Sequence, residues 1–239
     1  MGLSLKTTGA WLLNALLPRT CAHCALDLRW DAREPLCPGC LGALEPLPDL
    51  YCRACGLPLP DGGASCRDCR GSSRLTARAA FVFNPQLRSL VHAFKYRGRD
   101  DLAPYLSGRM AAALERFPEL AGHRFAMAVP LHGARARARG YNQAELLAAG
   151  LAARANLFHL AGAAERVRDT PSQTELSRDE RRANMEGAFR VAKPELVKGR
   201  ALLIIDDVAT TLATLSSLSE ELLKSGAKSV AAFTLAREP

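Results

Sequence analysis

The chain has 239 residues, of which 48% are hydrophobic and 6% aromatic, and it carries a formal net charge of +8 at pH 7. This length accommodates one full α/β domain and one small module, and the composition is that of a globular chain rather than a disordered one. Residues 1–71 are neutral, whereas residues 72–239 carry 25 basic and 17 acidic side chains. A basic domain favours polyphosphates or nucleic acid as ligands, although a solubilising surface would give the same charge.

The N-terminal apolar run at residues 10–17 is too short to span a bilayer, so no membrane span is predicted. A signal peptide is not expected, because only Lys6 precedes the run and Pro18-Arg19 follows it. The pattern predicts a short amphipathic helix that packs on the protein, with a membrane-surface contact as the alternative. We therefore expect a cytoplasmic protein.

All eight cysteines lie in the first 69 residues, as four Cys-x-x-Cys pairs. Each pair can form a knuckle whose two thiolates face one tetrahedral ion. Taken in order, with 12 and then 10 residues between knuckles, the pairs predict two structural Zn²⁺ sites in a double ribbon. A disulfide framework and a redox dithiol are less favoured, because no secretion signal is evident and four tandem pairs exceed one dithiol centre. The predicted ligands are Cys21, Cys24, Cys37 and Cys40 for one ion, and Cys52, Cys55, Cys66 and Cys69 for the other.

The remaining chain alternates apolar strands with helical patterns. Gly71-Ser72-Ser73 marks the predicted boundary between domains 1–71 and 72–239. Strands are predicted at residues 79–83, 125–131, 189–191, 201–205 and 230–235, and helices at 85–95, 100–117, 143–156 and 213–224. Such alternation predicts a mostly parallel sheet with helices on both faces.

The most informative segment runs from Leu202 to Thr214, where four aliphatic residues lead into Asp206-Asp207 and then into a hydroxyl-rich loop that opens a helix. An unbroken apolar strand suits a parallel sheet covered on both faces, and ligands bind at the carboxyl ends of such strands. The threonines and the helix N-terminus would bind an anion, while the two acids would accept from vicinal hydroxyls or hold Mg²⁺. The segment therefore predicts a ribose 5-phosphate site. The alternative is an ordinary buried strand with an acidic end and a threonine N-cap.

Basic residues follow an earlier strand. Val129-Pro130-Leu131 leads into Arg135, Arg137 and Arg139, which could clamp a pyrophosphate or lie on a solvated loop. The polar segment 173–184 could fold over a bound ligand or form a surface helix.

The segment around Asp206 resembles the phosphoribosyl-pyrophosphate loop of type I phosphoribosyltransferases. One residue departs from that pattern, because Leu212 stands where the family has glycine, and leucine resists both positive φ and close approach of a phosphate. The resemblance implies a catalytic role for Asp206 and Asp207. The ribose- and phosphate-binding residues that it implies are Val208, Ala209, Thr210, Thr211, Leu212, Ala213, Thr214, Arg139 and Lys95.

Across its whole length the chain resembles the ComF family of competence-associated proteins. The motifs occur in the family's order: Phe94-Lys95-Tyr96, Arg139-Gly140-Tyr141-Asn142-Gln143, Gln173 with Leu176-Ser177 and Arg182, Asn184 with Gly187-Ala188-Phe189, and Asp206-Asp207-Val208 with Thr210-Thr211. The resemblance implies a zinc ribbon fused to a phosphoribosyltransferase-like domain. It also implies Mg²⁺-phosphoribosyl pyrophosphate as ligand and single-stranded DNA as partner in natural transformation.

Three functions are compatible with these residues. An enzyme would transfer the ribosyl group from phosphoribosyl pyrophosphate to a nucleophile, as a glycosyltransferase. A binding module would hold single-stranded DNA in a basic cleft, with Tyr96 or Tyr141 stacking on a base. A ligand-sensing adaptor would dock a DNA-translocating helicase through its ribbons.

Overall fold

The computed structural model describes residues 19–29, 31–69, 75–169 and 187–239. The predicted helix at 10–17, the domain boundary near residue 71 and the polar segment 173–184 lie outside these ranges and stay predictions. Within the described ranges, no helix has both the length and the apolar character needed to cross a bilayer.

The core is a five-stranded parallel sheet with the strand order β1-β7-β6-β2-β3. Its strands are β1 (Thr76–Val82), β2 (Phe125–Ala128), β3 (Phe158–His159), β6 (Ala201–Ala209) and β7 (Ser229–Arg237). A separate antiparallel pair joins β4 (Ala164–Arg166) to β5 (Phe189–Val191). Leu202 and Ile205 at the two ends of the apolar run in β6 have no exposed surface, so the predicted strand buried on both faces is confirmed.

Six α-helices are described: α1 (Pro38–Gly42), α2 (Pro85–Tyr96), α3 (Ala103–Leu114), α4 (Gly133–Arg139), α5 (Gln143–Ala155) and α6 (Ala213–Lys224). Their ends follow local chemistry. The Asn84 side chain caps α2 by accepting from the Leu87 amide at 3.0 Å. Asn156 ends α5 in the left-handed conformation at φ 53°.

The helices cover both faces of the sheet. Crossovers between parallel strands are right-handed. The connections β1-to-β2 and β2-to-β3 run in one direction across the sheet and β6-to-β7 runs in the other, so α3 and α5 lie on one face and α6 on the opposite face. The predicted parallel α/β fold is therefore confirmed.

Several elements differ from their predicted form. Strand β2 ends at Ala128 rather than at residue 131, helix α3 is shorter than the predicted 100–117, and β3 and β4 were not predicted. Strand β6 continues to Ala209, four residues beyond the predicted end, because β7 pairs beside it as far as Arg237. The two acids consequently lie within the strand rather than after it. Residues 133–139, for which a solvated loop was one alternative, form helix α4.

The cysteine-rich module packs on the outer edge of β1. The Leu47 amide donates to the Ala80 carbonyl at 3.1 Å, and the Ala77 amide donates to the Ala54 carbonyl at 2.8 Å. These bonds cover a sheet edge that would otherwise be open to another chain. Gly56, at φ +67°, makes this approach possible, because a Cβ there would lie 2.7 Å from the Ala77 carbonyl oxygen.

Candidate functional site

The cysteines gather into the two predicted four-thiolate clusters. Within each cluster all four sulfurs lie within 4.8 Å of one another, and sulfurs of opposing knuckles are 3.7 Å apart for Cys24 and Cys37 and for Cys55 and Cys66. A tetrahedral zinc ion with Zn–S bonds of about 2.3 Å places its sulfurs roughly 3.8 Å apart. Both clusters thus fit a structural zinc ion, as predicted.

Strands β2 and β6 stop pairing at their carboxyl ends, and we call the place where they part the crevice. From β2 the chain continues to β3 on one side, and from β6 it continues to β7 on the other, which makes this pair the topological switch point of the sheet. Among the described residues, the last β2–β6 bond runs from the Val129 amide to the Ile205 carbonyl at 2.9 Å. Beyond it β6 continues beside β7 alone, and Asp206 is its next residue.

Asp207 forms a buried ion pair with Lys95, which lies near the end of α2. Lys95 Nζ is 2.9 Å from Asp207 Oδ2, and the two side chains are 22% and 3% exposed. Burial lowers the pKa of Lys95, but the negative charges of Asp207 and then Asp206 outweigh it, so this pKa stands above its ordinary value. The structure therefore brings two sequence-predicted site residues together and keeps the ammonium charged.

Asp206 faces the opposite side of the strand, because successive strand residues alternate. Burial, followed by the neighbouring carboxylate of Asp207, raises the pKa of Asp206 to about 7. Lys95 and Arg166 act against this shift. Asp206 thus changes protonation near neutral pH, which suits a group whose charge responds to a ligand.

The loop between β6 and α6 keeps a left-handed residue at the position where glycine was expected. Leu212 has φ 62° and ψ 4°, and its side chain is 8% exposed. Its carbonyl accepts from the Ser216 amide at 2.8 Å, so Leu212 is the N-cap of α6. A left-handed non-glycine residue costs about 1–2 kcal/mol. Residue 212 thus has a positive φ although it is leucine rather than glycine, and burial of the leucine side chain offsets the strain.

The three arginines of α4 differ in position and exposure. Arg135 and Arg139 are four residues apart on one side of the helix and half-buried, whereas Arg137 is exposed. Arg135 Nε lies 3.1 Å from Asp169 Oδ1. The Arg139 guanidinium lies 5.3 Å from the centre of the Tyr96 ring and donates to the Gln143 amide oxygen.

The two tyrosines proposed to stack on a base differ in access. Tyr96 is 67% exposed, whereas the Tyr141 hydroxyl donates to the Phe94 carbonyl within a half-buried contact. Tyr96 is therefore the better candidate for stacking.

Two arginines at the site were missed in the sequence. Burial, and then the positive charge of Arg135, lower the pKa of Arg166. The negative charge of Asp206 acts in the opposite direction. Arg237, at the end of β7, is 5% exposed and donates to the Ala209 carbonyl at 3.0 Å and to the Thr210 carbonyl. Both act through contacts distant in sequence, so no local pattern could indicate them.

Comparison with known proteins identifies the family. Residues 12–70 match the family described as "Double zinc ribbon domain". The chain is 32% identical over 222 residues to "DNA utilization protein YhgH" of Escherichia coli O157:H7, covering 88% of this chain and 96% of the relative. It is 31% identical over 224 residues to "Competence protein F" of Haemophilus influenzae, covering 91% and 96%. This chain belongs to the ComF family.

A more distant ComF relative is "Competence protein ComFC" of Bacillus subtilis, at 28% identity over 236 residues, 88% of this chain and 90% of the relative. Among solved structures, one titled "Analysis of an invariant aspartic acid in HPRTs–glutamine mutant" aligns at 12% identity with a TM-score of 0.36, covering 59% of this chain and 79% of that one.

Proposed function

We propose that this ComF protein binds Mg²⁺-phosphoribosyl pyrophosphate in the crevice at the end of β6 and acts with single-stranded DNA during DNA uptake. The observation that carries the proposal is the buried ion pair of Lys95 with Asp207, directly before a left-handed turn that opens α6. Two acids, the ammonium group of Lys95 and the N-terminus of α6 thus lie near the carboxyl end of β6.

The 5-phosphate would bind at the start of α6. This helix has 12 residues, so its unpaired N-terminal amides and its dipole favour an anion. Thr210 and Thr211 are half-buried in the turn, and the Thr211 hydroxyl oxygen lies 3.5 Å from the Ala213 amide nitrogen. Leu212 sets the turn from which these groups reach the phosphate.

The ribose hydroxyls would donate to Asp206 and Asp207. Asp207 is paired with Lys95, whereas Asp206 would be ionised when a hydroxyl donor or Mg²⁺ approaches. Arg166 is within electrostatic reach of Arg135 and Asp206, and Arg139 lies over the Tyr96 ring, so these three arginines would supply positive charge to the pyrophosphate. Mg²⁺ would supply further positive charge to the pyrophosphate when bound.

If the protein turns over its ligand, the reaction is transfer of the ribosyl group to a nucleophile. The C1–pyrophosphate bond breaks, the bond from C1 to the nucleophile forms, and pyrophosphate leaves with the bonding electrons. Cations around the leaving group would stabilise its developing charge, which is the main catalytic task. The Asp206 and Asp207 carboxylates would hold the sugar while C1 becomes electron-deficient.

Single-stranded DNA is the second proposed ligand, because the relatives are named for DNA utilisation and competence. The positive charge excess lies wholly in residues 72–239. Exposed Tyr96, with Arg139 over its ring, offers a base-stacking platform beside phosphate-binding charge. A ligand-sensing adaptor that docks a DNA-translocating helicase through the ribbons is the alternative for a chain without turnover.

Calorimetry with phosphoribosyl pyrophosphate and Mg²⁺, followed by a pyrophosphate-release assay, tests the proposal. The site is supported if the double variant Asp206→Asn/Asp207→Asn no longer binds the ligand. Asp101→Asn is the control and should still bind it, because Asp101 is an acid paired with Arg99 on the surface. Binding without pyrophosphate release favours the adaptor over the enzyme. No binding to the wild-type chain contradicts the proposed ligand.

A further inference from the structure

Arg237 links the second zinc ribbon to the proposed phosphate loop. Its Nε donates to the carbonyl of Cys55, a thiolate residue of the second cluster, at 3.2 Å. Its Nη1 donates to the carbonyls of Ala209, the last residue of β6, and Thr210, the first residue of the β6–α6 loop. One buried guanidinium therefore touches a zinc knuckle and the loop together.

The guanidinium is a rigid plane, so its two ends cannot shift independently. At 5% exposure, little water is available to replace a lost bond, and an unpaired buried donor is costly. Displacement of the Cys55 carbonyl would therefore move Arg237 or leave it unsatisfied. Movement of Arg237 would act on the Thr210 carbonyl and less on the Ala209 carbonyl, which also accepts from the Glu238 amide at 2.9 Å.

The orientation of those carbonyls sets the direction of the loop amides. In a trans peptide the C=O and the following N–H point in opposite directions. Since the carbonyls of Ala209 and Thr210 face Arg237, the amides of Thr210 and Thr211 point away from the guanidinium. These amides belong to the loop in which the 5-phosphate would bind.

We infer that Arg237 is a positioning residue that couples zinc in the second ribbon to phosphate binding in the loop. The inference rests on the proposed ligand site. Coupling between two ligands is reciprocal, so zinc in the second ribbon tightens phosphoribosyl-pyrophosphate binding and the ligand tightens zinc binding by the same factor. None of the hydrogen bonds of Arg237 in the described part of the chain goes to the first ribbon, which serves as the internal comparison.

The test measures zinc affinity by chelator competition, with and without phosphoribosyl pyrophosphate and Mg²⁺, in two full-length variants. Cys24→Ser retains the second ion, and Cys69→Ser retains the first. The ligand should tighten zinc binding about fivefold or more in Cys24→Ser and leave it unchanged in Cys69→Ser. Because both variants meet the same solution, zinc chelation by the ligand would affect them equally.

Arg237→Lys should abolish this coupling, whereas Arg78→Lys should preserve it. Arg78 is equally buried and donates to the Arg53 carbonyl at 2.8 Å in the same knuckle, but its bonds outside the knuckle go to the Ala77 carbonyl in β1 and the Glu119 carboxylate rather than to the loop. Coupling that survives in Arg237→Lys, or equal zinc affinities with and without ligand, overturns the inference. If the cysteine variants do not fold, hydrogen exchange on the wild-type chain replaces them, with ligand-induced protection expected at Gly56 and none at Ala25.

Ligand binding by the wild-type chain separates the two hypotheses. Calorimetric binding without coupling overturns the role of Arg237 and leaves the proposed function standing. Absence of binding overturns both.

Discussion

Lys95 Nζ lies 2.9 Å from Asp207 Oδ2, so a helix in the first half of the domain supplies the cation for an acid on the central strand. The pair joins α2 to β6 at the mouth of the crevice. It leaves Asp206, its neighbour on the other side of the strand, with a pKa raised to about 7, chiefly by burial. The two acids thus differ in environment, since Asp207 is paired with Lys95 and Asp206 is not, although they are adjacent in sequence.

The ion pair predicts a measurable coupling. Lys95→Met should destabilise the protein by roughly 2–3 kcal/mol, because it leaves the Asp207 charge buried without a partner. Adding Asp207→Asn should recover most of that loss. Chemical denaturation of the two single variants and the double variant measures the coupling, and strictly additive losses would show that the pair is not formed. Arg29→Met, which removes an exposed pair with Asp31, should leave the unfolding free energy unchanged.

Asp206 predicts an unusual pH dependence of stability. Its pKa is raised in the folded chain, so the folded state binds more protons than the unfolded state between about pH 4 and pH 7. Stability therefore falls as pH rises through this window, by at most roughly 1.4 kcal/mol for each pKa unit of difference. Asp206→Asn removes the effect, so its stability relative to the wild type should rise from pH 5 to pH 8. A constant difference between the two proteins would refute the raised pKa.

The left-handed conformation of Leu212 predicts that glycine is more stable than alanine at this position, the reverse of the usual order. At most positions alanine is more stable than glycine, because glycine gives the unfolded chain more freedom. At position 212, Leu212→Gly should be more stable than Leu212→Ala by about 1 kcal/mol, because both variants lose the buried side chain but only alanine keeps the strain of positive φ. Thermal melting of both variants decides, and the ordinary order would mean that φ is negative there. Calorimetry should also show tighter phosphate binding for the glycine variant, which opens the approach to the backbone.

The arginines of α4 predict a selective effect on DNA binding. Replacing Arg135 and Arg139 with alanine should weaken single-stranded DNA binding and flatten its salt dependence by up to about two phosphate contacts. Arg137 lies on the exposed side of the same helix, so Arg137→Ala is the matched control. It should change the DNA affinity and its salt dependence less. Titration of a labelled oligonucleotide at several salt concentrations measures the slopes. Equal effects of all three arginines would place the DNA elsewhere on the helix.

Sequence patterns predicted the elements whose signals are local. The Cys-x-x-Cys spacing indicated both zinc clusters, and the apolar run before Asp206 indicated the central strand. Asn84-Pro85 indicated the start of α2, and Ala213–Lys224 matched its predicted helix at both ends. In each case the residues that specify the structure are neighbours in the chain.

Features that depend on distant contacts were not predictable in the same way. Strand β6 extends through the acids only because β7 pairs beside it, and Arg237 matters because tertiary packing brings it to Cys55 and Ala209. The conformation of Leu212 could not be predicted from the sequence either. The residue type argued against positive φ, whereas the turn into α6 imposes it.

Calorimetric titration of the wild-type chain with phosphoribosyl pyrophosphate and Mg²⁺, repeated with Asp206→Asn/Asp207→Asn, tests the central claim most directly. We predict one site per chain in the wild type and loss of binding in the double variant, with both proteins folded and carrying two zinc ions. Equal affinity in the two proteins, or no binding to the wild type, would contradict the assignment of the β6 strand end as the ligand site.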